Sequence, residues 1–158
     1  MTRLPSLGPR GEGWVAIQGL LLVTTAVAGL LGPAWAGQLR VATSVVGAIL
    51  IAGGLVLATR GLRDLRDALT PLPYPRDDAE LVETGVYRLV RHPIYGGLVL
   101  AAVGWGMLTA SPAALVAAIG LWGFFELKSR REEAWLEGRF VGYASYRART
   151  RRLIPWIG

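Results

Sequence analysis

The segment Arg91-His92-Pro93-Ile94-Tyr95-Gly96-Gly97 carries the only histidine among 158 residues, placed directly before a proline. Proline pushes the preceding residue out of the helical region yet suits the first position of a helix, so His92 is expected just outside a helix that starts at Pro93. Such a helix end presents unpaired N–H groups and partial positive charge. With Arg91 beside it, the position favours an anionic group such as a carboxylate. Gly96 and Gly97 leave the first turn without bulky side chains, so a ligand or a neighbouring helix can approach closely. A plainer reading has His92 capping the helix, Arg91 holding a lipid phosphate and Tyr95 serving as one more interfacial aromatic.

A second set of chemically capable residues lies in Lys128-Ser129-Arg130-Arg131-Glu132-Glu133-Ala134-Trp135-Leu136-Glu137-Gly138-Arg139-Phe140. Glu132, Leu136 and Phe140 recur every four residues, which sets a carboxylate and two apolar side chains on one helix face. Glu133 lies about 100° round, with Glu137 one turn on. Paired carboxylates accept hydrogen bonds from hydroxyls or balance a bound cation; the competing reading is a salt-bridged surface helix with Arg130 and Arg131. Beyond them, Tyr143, Tyr146, Arg147, Arg149, Arg151 and Arg152 precede Leu153-Ile154-Pro155-Trp156, a composition suited to an interfacial lid or to simple membrane anchoring. Cysteine is absent, which removes thiolate nucleophiles, disulfides and zinc-finger or iron–sulfur ligation, and a lone histidine supports no His-cluster metal site.

The elements that must position these residues are apolar. Hydrophobic residues make up 53% of the chain and charged ones 18%, too greasy for an ordinary soluble domain of this size. No charge occurs from Gly13 to Leu39, from Val41 to Thr59, or from His92 to Phe125. Trp14–Leu31 and Val41–Thr59 each approach the ~20 apolar residues a spanning helix needs. The third stretch would run about 50 Å as one helix, so Ser111-Pro112 is expected to break it into a hairpin of Tyr95–Thr109 and Ala113–Leu127, with the second arm continuing into the glutamate-bearing segment. Each arm is short for a full crossing. The first span is read as retained, because its apolar run exceeds a signal core and ends in Gly32-Pro33 without a small-residue cleavage pattern. Between the second span and the hairpin, Leu62, Leu65 and Leu69 continue a helical period until Pro71, Pro73 and Pro75 end it. Asp77, Asp78, Glu80 and Glu83 then lead to a turn at Thr84–Tyr87.

The basic residues set orientation. Sixteen of the 17 fall in the N-terminus, the long loop and the tail, and only Arg40 falls on the opposite side, which places both termini and the polar chemistry in the cytoplasm. The net charge of +6 is thus topological, with anionic headgroups as its partners. Nucleic acid is excluded as a partner, since no aromatic-studded basic groove or recognition motif accompanies the charge. The expected fold is an all-α integral membrane bundle of about four transmembrane helices with a cytoplasmic amphipathic C-terminal segment, forming one domain over residues 1–158.

Gly85-x-Tyr87, Arg91-His92-Pro93-x-Tyr95-x-Gly97, a hydrophobic hairpin, Glu132-Glu133-x-x-Leu136 with Phe140, Tyr143-x-x-Tyr146 and a closing Ile154-Pro155 together resemble the isoprenylcysteine carboxyl methyltransferase family and the related membrane phospholipid methyltransferases. The resemblance covers about residues 85–155, and the two central motifs are specific in combination. Val141 stands where that family usually has glycine, and Thr150-Arg151 replaces its usual Val-Pro before Arg152. The resemblance implies an integral membrane enzyme that uses S-adenosylmethionine at the cytoplasmic face and methylates a lipophilic carboxylate, amine or thiol arriving from the bilayer. It puts His92, Pro93, Tyr95, Gly96, Glu132, Glu133 and Tyr146 against the cofactor. Arg91, Glu133 and Arg149 are the catalytic candidates: an arginine holds the cofactor's carboxylate, a glutamate takes the ribose hydroxyls or favours the sulfonium, and Arg149 orients a carboxylate acceptor. No metal is required, because methyl transfer from a sulfonium is a direct displacement that depends on in-line positioning. Two other readings are a membrane lipid reductase using NADPH, for which no glycine-rich dinucleotide turn is present, and a non-enzymatic lipid-binding scaffold.

Overall fold

A computed structural model describes residues 5, 7–37, 39–65 and 80–155 of the chain. The prolines Pro71, Pro73 and Pro75, the acidic Asp77 and Asp78, Leu69 and Trp156 lie outside the described residues. Those described form five α-helices and no strand: α1 (Glu12–Leu31), α2 (Leu39–Leu65), α3 (Pro93–Leu108), α4 (Pro112–Arg139) and α5 (Tyr143–Arg149), with a short 3-10 turn at Gly85–Arg88 before α3. α1 and α2 are long and apolar enough to cross a membrane, and most of their surface faces outward; α3 is a shorter apolar helix.

The expected break falls where the sequence places it. Ser111 caps α4, its hydroxyl accepting from Ala114 N–H at 3.2 Å and donating to the Ala28 carbonyl at 2.9 Å, and Pro112 takes the first helical position. The Trp35 N–H donates to the Ala110 carbonyl, so the α1–α2 connection and the α3–α4 tip share one end of the bundle. α4 then runs unbroken for 28 residues, about 42 Å at 1.5 Å per residue, which carries Glu132 and Glu133 well past the apolar layer.

Two different packings hold the bundle. α2 and α3 run antiparallel on glycines seven apart: a Cβ added at Gly47 would come within 2.6 Å of the Gly104 carbonyl, one at Gly54 within 2.5 Å of the Gly97 carbonyl, and one at Gly61 within 2.9 Å of Pro93 Cγ. Backbones meet there because no side chain intervenes, the usual solution where burial of apolar surface gives helices little reason to associate. On the other side, Trp14, Val99, Ala102, Ala118, Leu121, Phe124, Phe125 and Leu153 form a conventional core among α1, α3, α4 and the tail.

Candidate functional site

The site lies at the end of the bundle opposite the hairpin tip, where three pieces of chain converge. Residues 89–92 run alongside residues 151–152: Val90 and Arg151 form a parallel bridge, Arg91 N–H donates to the Arg151 carbonyl at 2.8 Å, His92 N–H to the Arg152 carbonyl at 2.9 Å, and Arg151 N–H to the Leu89 carbonyl at 3.0 Å. The tail then crosses the first turn of α3. A Cβ on Gly96 would lie 1.9 Å from the Leu153 carbonyl oxygen, so the bare turn read from the sequence as room for a ligand or helix is filled by the protein's own tail. α4 supplies the third piece. From α2, Asp64 accepts from Val86 N–H at 2.7 Å and the Gly61 carbonyl accepts from the Tyr87 hydroxyl at 3.3 Å, which ties the 3-10 turn to the bundle.

These constraints bring the two sequence motifs together. His92 stands at the N-cap position of α3 without a side-chain capping bond, and its imidazole lies between the glutamates, Nδ1 3.3 Å from Glu132 Oε2 and Nε2 3.4 Å from Glu133 Oε1. The second contact lacks hydrogen-bond alignment and leaves Nε2 without a partner. The Tyr95 hydroxyl donates to Glu132 Oε1, and the Tyr95 ring stacks on His92 at 5.6 Å and on Phe125 at 4.6 Å. Glu133, 3% exposed, is the hub: Arg91 Nε donates to it at 2.8 Å, Arg152 reaches both its oxygens at 3.3 and 3.2 Å, and Arg147 stands 3.8 Å away. Arg91 also donates to the Thr150 and Arg147 carbonyls, and Arg152 to Glu126 at 2.9 Å.

The electrostatics follow from this crowding. Burial would neutralise Glu133, but the adjacent His92 imidazole and hydrogen bonds from Arg91 and Arg152 hold its carboxyl far below the usual range. Burial likewise opposes charge on His92, and the two glutamates outweigh it, raising the imidazole above its ordinary 6.5. Burial, reinforced by Glu133, pushes the Tyr143 phenol up; its hydroxyl is buried without a hydrogen-bond partner among the described residues.

Not every residue expected at the site reaches this cluster. Arg149 is more than half exposed, pairs with Glu83 and lies over the Tyr146 ring. The Tyr146 hydroxyl donates to the Tyr87 carbonyl at 2.8 Å, so it braces the 3-10 turn. Pro93 packs on Gly61. Two members were not singled out from the sequence. Arg152 sits beyond any helical spacing that links it to Glu133, and only the tail's return places it there. Lys128 lies four residues before Glu132, a spacing that puts both on one helix face and was the available signal.

The class of protein this defines is a bundle with membrane-length apolar helices that carries a buried imidazole–carboxylate–guanidinium cluster at one end. The chain belongs to the phospholipid methyltransferase family, whose model matches residues 42–141. Among curated relatives, a probable protein-S-isoprenylcysteine O-methyltransferase of Oryza sativa subsp. indica is 37% identical over 84 residues, covering 51% of this chain and 44% of the relative. Protein-S-isoprenylcysteine O-methyltransferase A of Arabidopsis thaliana is 30% identical over 125 residues, 78% of this chain and 61% of its own length. The Saccharomyces cerevisiae protein-S-isoprenylcysteine O-methyltransferase is 31% identical over 118 residues, 72% and 49% respectively. The chain thus spans about half the length of the curated relatives it matches.

Proposed function

We propose that the protein is an integral membrane methyltransferase that uses S-adenosylmethionine and methylates a lipophilic acceptor at the cytoplasmic face of the bilayer. The observation that carries this reading is the convergence of His92, Tyr95, Glu132 and Glu133 in one buried cluster at the end of an apolar bundle, within the stretch that matches the family. In this reading α1 to α4 all cross the membrane, α3 obliquely or through a thinned layer since 16 residues extend only about 24 Å.

The residues fit the cofactor chemically. The part-buried Glu132 carboxylate and the Tyr95 ring suit a cationic sulfonium, and the unpartnered His92 Nε2 and Tyr143 hydroxyl are buried polar atoms of the kind a nucleoside would satisfy. When bound, the sulfonium supplies an activated methyl group. The chain's task is then to hold and exclude: Glu132 takes the hydroxyls or the positive charge, Arg91 and the first turn of α3 take the carboxylate, and Tyr95 lines the methyl. Glu133, saturated by cations, acts by fixing Arg91, His92 and Arg152 in place. Arg149, tied to Glu83, retains the acceptor role read from the sequence only if that pair opens.

Isothermal titration of the detergent-purified protein with S-adenosylhomocysteine tests the proposal. Binding is expected, weakened at least about tenfold in His92→Ala and Glu132→Gln, the loss typical of a buried charged hydrogen bond. Folded wild-type protein that binds none of it would exclude the reading.

A further inference from the structure

The pairing of residues 89–92 with the tail has an outer side, and a cavity opens there whose chemistry differs from that of the buried cluster. It has a volume of about 270 Å³ and is lined by Arg88, Leu89, Arg149, Arg151 and Pro155. Neighbouring side chains part ways along the pairing: Arg91 and Arg152 reach Glu133, whereas Arg88, Leu89 and Arg151 are exposed. The cavity thus shares no side chain with the cluster. Three arginines around one space repel one another unless an anion joins them, and no acidic residue is part of the lining. Arg149 is tied to Glu83, but Arg88 makes no hydrogen bond or ion pair among the described residues.

The apolar part of the lining identifies that anion. Leu89 is 52% exposed beside the arginines, and Pro155 adds a second apolar wall. A small soluble anion gains nothing from these, whereas a phospholipid brings a phosphate and an apolar body together. Leu89 also precedes Pro93, the first residue of apolar α3, by four residues, so the chain holds it within about 14 Å of that helix, close enough to the end of the apolar bundle to meet headgroups. We propose that this cavity seats the phosphate of one anionic phospholipid between Arg88 and Arg151, with its glycerol against Leu89 and Pro155. A phosphate held there joins the two paired segments from outside, so the bound lipid clamps the tail over α3. It is an effector and not an acceptor, because the cluster lies on the other side of the pairing. The assignment uses the membrane reading of the bundle and none of the methyl-transfer chemistry, so failure to bind S-adenosylhomocysteine leaves it standing.

The test uses the full chain in a non-ionic detergent with equimolar dioleoyl phosphatidylglycerol and dioleoyl phosphatidylcholine, read by native mass spectrometry. Wild type is expected to retain one phosphatidylglycerol at least about fivefold over phosphatidylcholine, the scale of one arginine's attraction to an anionic headgroup. Arg88→Gln combined with Arg151→Gln is expected to erase that preference, and Arg63→Gln, which removes an exposed charge from the last turn of α2, to keep it. Phosphatidylglycerol is also expected to slow chymotrypsin cleavage of the wild-type tail about fivefold, with phosphatidylcholine giving no protection. Equal retention of the two lipids by wild type, a result that needs no variant to fold, overturns the site, as does an equal loss of preference in Arg63→Gln. Retention without protection overturns the clamp. Equilibrium dialysis against inorganic phosphate alone separates the two sources of the anion: no saturable binding is expected, and saturable binding lost in the double variant would assign the cavity to a soluble phosphate and overturn the lipid.

Discussion

Glu133 and His92 show how one charged cluster works against burial from both sides. His92 is raised in the folded chain, so its contribution to stability is complete below about pH 6.5 and is lost as pH rises through the folded value. Glu133 is depressed, so its contribution is present above its ordinary 4.5 and is lost only as pH falls through the folded value. Thermal unfolding of the purified protein is therefore expected to shift downward as pH is raised from about 6 to 9, and His92→Gln is expected to flatten that limb. An alkaline limb unchanged in the variant would mean the imidazole is not charged in the native state. Glu133→Gln leaves Arg91 and Arg152 facing a neutral group in a buried setting and is expected to cost about 3 kcal/mol, measured as a loss of unfolding free energy in denaturant.

Helices α2 and α3 associate through backbone proximity, and the glycine pattern makes this testable residue by residue. Gly54→Leu places a side chain where the Gly97 carbonyl already stands, while Gly53, its neighbour in sequence, has nothing within 4 Å of an added Cβ. Gly54→Leu is expected to reduce the yield of folded monodisperse protein sharply and Gly53→Leu to leave it near wild type, as read by fluorescence-detected size exclusion. Equal behaviour of the two variants would disprove the close packing. Gly96 belongs to the same scale, since it is where the tail closes over α3. Gly96→Ala is expected to lift Leu153 from the helix, exposing the tail to limited proteolysis and weakening S-adenosylhomocysteine binding together; a tail as protected as wild type would dissociate Gly96 from tail docking.

At the scale of the whole molecule, residues 89–92 and the tail meet at one end, and the α1–α2 loop meets the hairpin tip at the other. The sixteen-to-one division of basic residues is the basis for the proposed orientation, with that first end cytoplasmic. Because the chain has no cysteine, single substitutions report cleanly. Ala36→Cys, at the α1–α2 end, is expected to react with an impermeant maleimide in intact cells, and Ser145→Cys, in α5, only after permeabilisation. Labelling of Ser145→Cys in intact cells would reverse the orientation and place the cluster on the outer face.

The sequence by itself determined the helices, because charge-free runs, prolines at first helical positions and the Ser111-Pro112 break are local properties that need no partner to act. Residue type and spacing also put His92 and the glutamate pair forward as candidates, and the structure brings the three together. Tertiary structure alone decided who joins them. Arg152 reaches Glu133 only because the tail returns along residues 89–92, and Gly96 proved to be the seat of that tail. Gly47 and Gly54, in an apolar run, and Gly61, just past Arg60, read as ordinary small residues until α3 lies against them. Arg149 and Tyr146 show the converse, since their side chains turn to Glu83 and Tyr87. The reason is physical: hydrophobic period and charge set each element's own surface, whereas a buried cluster is assembled from contacts between segments whose approach depends on the space every other side chain leaves.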